Sequence, residues 1–140
     1  MIIIIIRRKR ILLKLDKTSG QIVATNQWGN AGIDGYGNIT LDDDGNFFVS
    51  GQGSPVGQGG TDDVYLVAKH RKSDLSNVWR ALNAPNAPGF KASAEAWGGL
   101  SYRAGNQPGD GTLVAGGWYF GPTGANAFVS VYEDLNSNSP

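Results

Sequence analysis

A strand phrase that this chain states twice constrains its fold more than any other feature. Asp44-Gly45-Asn46-Phe47-Phe48-Val49-Ser50-Gly51, then a Gly-rich loop and Val64-Tyr65-Leu66-Val67-Ala68-Lys69, is echoed by Asp110-Gly111-Thr112-Leu113-Val114-Ala115-Gly116 and Ala127-Phe128-Val129-Ser130-Val131. Leu113 matches Phe48 at a spacing of 65 residues, and Phe128 matches Tyr65 at 63. A turn, strand, loop, strand unit repeated at that spacing predicts an architecture of similar β-sheets, each burying its faces against its neighbours.

Composition agrees. Twenty-one Gly, six Pro and only 17% charged residues in 140 suit an all-β chain with many tight turns, long enough for one domain. There is no Cys, which excludes disulfides and thiolate metal sites but does not fix the compartment. The net charge of zero hides an asymmetry: Arg7, Arg8, Lys9, Arg10, Lys14 and Lys17 lie in the first 17 residues, while residues 18–140 carry 6 bases against 11 acids. An acidic body lacks the spread of basic side chains that phosphate neutralisation needs, so nucleic acid is not an expected partner.

Met1 is followed by five Ile and then by Arg7-Arg8-Lys9-Arg10. A standard signal peptide has the reverse order and a longer apolar run, and a membrane span needs about 20 apolar residues, so neither is expected. Residues 1–10 read as an atypical Ile-rich, basic segment, in the simplest case a strand on a sheet edge. Residues 11–140 read as one repeat domain. Ile11–Leu15 and Gln21–Thr25 form a hairpin within a terminal unit of about 11–29. A four-strand unit spans about 33–83, Pro-broken residues 84–91 form a connector, and a partial unit spans about 92–132. Phe47-Phe48-Val49 and Val64 to Ala68 are apolar on both faces, as expected of a sheet sandwiched between sheets.

At these residues the chain resembles the bacterial β-propeller repeat family SBBP. The resemblance rests on Leu13-Lys14-Leu15-Asp16-Lys17-Thr18-Ser19-Gly20, the pair Trp28-Gly29, the hairpin strand Gly45-Asn46-Phe47-Phe48-Val49-Ser50-Gly51, and Gly59-Gly60-Thr61-Asp62-Asp63 before the strand at Val64. It covers residues 11–69 and, more loosely, 92–132, where Gly111-Thr112 and Asn126-Ala127 depart from the pattern. It implies an all-β fold of antiparallel propeller-like blades and an extracellular or cell-surface setting; it does not imply an enzyme. About four to eight blades close a propeller. One full unit with partial flanking units makes an incomplete propeller, either an open stack, a piece of a longer chain, or a homo-oligomer completed by further copies.

No catalytic grouping is expected. The single His, His70, sits in the run Lys69-His70-Arg71-Lys72, which reads as an exposed loop. Asp42-Asp43-Asp44-Gly45-Asn46 places oxygens at alternate positions, as a calcium loop does, but Phe47 stands where Gly is needed; a hairpin turn is the preferred reading. Asp134, Asn136 and Asn138 form a second calcium candidate, with Ser139 in place of the Gly. Calcium is the only cofactor the sequence suggests. Trp28, Trp79, Trp97 and the run Trp118-Tyr119-Phe120 could stack on sugar rings or pack between sheets. Trp118 and Tyr119 are the ligand-binding candidates, because the Gly116-Gly117 and Gly121-Pro122 pairs around them have loop composition.

The expected function is therefore a non-catalytic interaction or scaffold module whose partner is a protein or a surface polysaccharide. The alternatives are a carbohydrate-binding, lectin-like propeller assembled from several chains, and a fragment of a propeller enzyme whose site draws on other blades.

Overall fold

The computed structural model describes residues 2–6, 10–28, 35–53, 64–83, 94–106, 110–121 and 124–133. All regular structure among them is antiparallel β. Ten strands form three meanders. The first sheet contains β1 (Ile2–Ile6), β2 (Arg10–Leu15) and β3 (Ile22–Trp28). The middle sheet contains β4 (Gly35–Leu41), β5 (Phe47–Gly53), β6 (Val64–His70) and β7 (Asn77–Asn83). The third contains β8 (Ala94–Arg103), β9 (Thr112–Gly121) and β10 (Gly124–Tyr132). The Ile run is an edge strand, as its composition predicts, and pairs with β2.

Strand alternation assigns each residue of the middle sheet to one of two cores. Phe47, Val49, Leu66 and Ala68 pack with Tyr36, Leu75 and Leu12 against the first sheet. Phe48, Tyr65, Val67, Trp79 and Ala81 pack against the third, with Leu113, Ala115 and Tyr132. All seven residues of β5 are buried, which explains why its sequence is apolar on both faces. The long strand β8 runs close to β4, β5 and β6, and β1 and β2 approach β4. At the bulge in β4 the two strands come so near that a Cβ on Gly51 would collide with the carbonyl oxygen of Gly35, which restricts that position to glycine.

Two turns are copies of one device, 55 residues apart. Between β2 and β3, Asp16 N–H donates to Gln21 O and Gly20 N–H to Asp16 O; between β6 and β7, Arg71 N–H donates to Ser76 O and Leu75 N–H to Arg71 O. The ladder slips by one residue at the same place in both hairpins, after Lys14 and after Lys69. Gly20 and Leu75 both take left-handed backbone, with φ of 72° and 65°. For glycine this is nearly free. For leucine it costs about 1–2 kcal/mol, offset by complete burial of a side chain worth about 1.5–3 kcal/mol.

The same-offset relation fixes direction. Leu12 faces the middle sheet, and its counterpart Val67 faces the third, so each sheet turns the same side toward its successor. The middle and third sheets match likewise when their hairpins are aligned on the last ladder pair, Phe47 opposite His70 and Leu113 opposite Tyr132. This corrects the sequence alignment by one residue. Leu113 corresponds to Phe47, and Phe128 to Leu66, because Leu113 and Phe128 point back at the middle sheet. The pairs aligned by sequence instead meet across one interface: Phe128 lies on Tyr65 with ring centroids 4.8 Å apart. A one-residue slip reverses every side chain, and a strand apolar on both faces carries little information against it.

Candidate functional site

His70 is not a loop residue. It ends β6, and period-two alternation from Leu66 and Ala68 turns it into the core under the first sheet, where it is 1% exposed. Its ring stacks on Phe47 with centroids 5.6 Å apart, and Tyr36 meets it edge-on. Nδ1 lies 2.9 Å from Leu75 O, which can only accept, so Nδ1 carries the proton; Nε2 then accepts from Tyr36 Oη at 3.3 Å. Burial pushes the imidazole below its ordinary value of 6.5, partly opposed by the bond to Leu75 O. The charged run Lys69 to Lys72 obscured this placement, although the alternation Leu66, Ala68, His70 was present to be read.

The Asp42–Asn46 segment is a hairpin turn, as preferred from sequence. Gly45 has φ of 75°, its N–H donates to Asp42 O, and Asp42 N–H donates to Asn46 O. Asp42 Oδ2 is held by Lys69 Nζ at 3.0 Å, in a pair whose side chains are only 6% and 4% exposed, and Asn46 Nδ2 reaches the same oxygen. Lys69 also lies over the Phe48 ring, 5.3 Å from its centroid. Asp42 Oδ1 is buried with no hydrogen-bond partner, so breaking the pair would leave a carboxylate stranded. Tyr102 Oη donates to Asp43 Oδ2 at 2.9 Å; burial first, and this carboxylate second, push the phenol up to about 12.

These turns frame an open depression of about 520 Å³, bordered by Lys14, Asp44, Asn46, Arg71, Lys72 and Ser73. Several of its polar groups are engaged within the fold: Lys14 Nζ donates to Ser73 O at 2.8 Å, Arg71 Nη1 to Ser76 Oγ, and Lys72 N–H to Asn46 Oδ1. Among the described residues no three acidic or His side chains are grouped to hold a metal ion. Asp134, Asn136 and Asn138 lie outside the described residues.

Trp118 and Tyr119 belong to β9, not to a loop. Gly-rich flanks suggest a loop, but here Gly116, Gly117 and Gly121 lie within the strand itself. Successive residues point to opposite faces, so the two rings do not share a site. Tyr119 packs into the core toward the middle sheet, and Trp118 lies on the far face of the third sheet, opposite Ala127. Trp79 is core, as its alternative reading held. The side chains of Trp28 and Trp97 lie outside the described residues.

Sequence analysis did not identify the two end faces of the stack. On the far face of the third sheet Val114, Val129 and Val131 are 37%, 70% and 58% exposed. The register places Val129 where the middle sheet has Val67, and Val114 where it has Phe48, both fully buried. On the far face of the first sheet, Ile11, Leu13 and Leu15 stand where the middle sheet has Leu66, Ala68 and His70, with Ile22 beside them at 58% exposure. What this geometry offers chemically is apolar surface in core-like register. No helix among the described residues is long and apolar enough to cross a membrane. The chain matches no protein-family model and no curated protein sequence with which it was compared.

Proposed function

We propose that this chain is a non-catalytic β-repeat module of propeller-like build that acts as an interaction or scaffold unit, in the surface or secreted setting that its likeness to SBBP repeats implies. The observation that carries the reading is the apolar side chains on the two end faces, exposed at Val114, Val129, Val131 and Ile22 and half-buried at Ile11, Leu13 and Leu15, all but Ile22 at register positions that are buried inside the stack. The repeated turn and the common direction of the three sheets support the propeller-like build. The absence of a family match leaves the SBBP likeness resting on the residues alone. His70 supports the non-catalytic part, since both its nitrogens are spent inside the fold and its ring is covered. The test is a panel of chromogenic ester, glycoside and phosphate substrates. Rates equal to buffer are expected; turnover that scales with protein and is lost in Tyr36→Phe or His70→Asn overturns the reading.

A carbohydrate-binding role is the second reading, supported by Trp118 on an outward face opposite the small Ala127. Tyr119 faces inward and is not part of it. A glycan array decides: binding abolished by Trp118→Ala and kept in Tyr119→Phe supports this reading, and binding indifferent to Trp118→Ala removes it.

A further inference from the structure

We propose that the two end faces are mating surfaces for each other, so that a second copy of this chain docks head to tail, with the far face of its first sheet on the far face of the third sheet. This rests on the scaffold reading above and names the partner and the surfaces.

The argument is continuity with the interfaces already inside the molecule. In both internal interfaces the leading side of one sheet meets the trailing side of the next: Leu12 and Ala24 approach Leu66 and Ala68, and Tyr65, Val67 and Trp79 approach Phe128, Leu113 and Tyr132. The far face of the third sheet is a leading side, and the far face of the first is a trailing side. They are therefore different surfaces of complementary kind. A face of either kind has no counterpart in itself, which makes the contact heterologous, growing to a ring or an open fibre according to the rotation per copy. Both faces carry apolar side chains, Val114, Val129, Val131 and Trp118 at one end and Ile11, Leu13, Leu15 and Ile22 at the other, alongside Ser101, Arg103 and Thr112 on the first face and Thr25 and Gln27 on the second. None of these eight apolar positions carries a charge; Arg103 on the far face of the third sheet does, as does Lys69 inside the molecule, where it is paired with Asp42.

The register predicts a specific contact. Tyr65 and Phe128 touch across the internal interface, with ring centroids 4.8 Å apart. Tyr65 corresponds to Ala127 in the third sheet, and Phe128 corresponds, through Leu66, to Ile11 in the first. Ala127 of one copy should thus lie against Ile11 of the next.

The chain has no cysteine, so this contact is directly testable. Ile11→Cys and Ala127→Cys chains are prepared separately, checked for β-sheet circular dichroism, and treated with a short bismaleimide. Each alone should stay at monomer mass, an equimolar mixture should give a covalent dimer, and the double variant should give a ladder. Dimer from Ala127→Cys alone, or no product in the mixture, overturns the proposal. Should the cysteine chains fold poorly, Ile22→Glu and Val129→Glu, at sites more than half exposed, repeat the logic by sedimentation. Each should be monomeric alone and form a 1:1 dimer when mixed; no dimer on mixing overturns it. Monomers without turnover would defeat this docking and leave the scaffold reading intact, whereas turnover defeats the reading itself.

Discussion

Val67 and Val129 are the same residue type at the same ladder position, three steps beyond the pair that closes each hairpin, yet one is 0% exposed and the other 70%. Nothing local separates them. Val67 has a sheet in front of it, and among the described residues none lies in front of Val129, so burial here is decided by the neighbouring sheet and not by the strand. Covering a valine fully is worth about 1.5–3 kcal/mol relative to leaving it exposed. The middle sheet collects that gain on both faces, and each end sheet collects it on one.

The sharpest way to break this comparison is to put a charge at both positions. Val67→Glu buries an unpaired carboxylate between two sheets and should cost several kcal/mol, enough to unfold the chain. Val129→Glu, in dilute solution, should stay within about 0.5 kcal/mol of wild type by urea denaturation. Equal losses would mean that the third sheet is covered on both sides.

The paired turns give the next effect. Leu75→Ala removes a buried side chain while keeping the left-handed backbone and should cost about 2–5 kcal/mol, against about 1 kcal/mol for Gly20→Ala, which adds only backbone strain. Leu75→Gly should be less damaging than Leu75→Ala, the reverse of the usual order. If it is not, the φ of 65° does not govern that turn.

His70 sharpens the comparison of β6 with β2, since its counterpart in the first sheet is the half-buried Leu15. The folded imidazole titrates below 6.5, so the unfolded chain binds the extra proton first as pH falls. Stability from this group is complete above about pH 7 and declines as pH drops through 6.5 toward the folded value. His70→Asn should be less stable by about 1–3 kcal/mol at neutral pH and should lose the slope that begins as pH falls through 6.5. An unchanged slope would place the titration elsewhere. The smallest effect belongs to the exposed turn carboxylates. Asp16 is held below 3.8 chiefly by the Ser19 N–H and Asp74 by the Ser76 N–H, so each supports its turn above that range and ceases to do so as pH falls through its lowered value. Asp74 stands where the first turn has Ser19, whose Oγ accepts from Gln21 N–H as Asp74 Oδ1 does from Ser76 N–H, so Ser19→Ala and Asp74→Ala should each lower Tm slightly and to a similar extent if the turns are one device.

Much of this was legible in the residues. Alternation and turn chemistry located the first hairpin, the middle sheet and its burial on both faces. The register between the middle and third sheets was not, because Phe47-Phe48-Val49 is apolar at every position and so aligns equally well with either parity. His70 was hidden by charged neighbours that belong to the following turn, and Trp118 by glycines that proved to lie within a strand. The exposed end faces could not be recognised at all from composition, since their valines and isoleucines have core chemistry and only the order of the stacked sheets leaves them bare.

The most direct test is the thermal midpoint of the unmodified chain measured over a hundredfold range of its own concentration. If the bare end faces mate, folded copies are stabilised by one another and Tm rises with concentration, a rise that Val129→Glu removes. A midpoint independent of concentration would contradict the account.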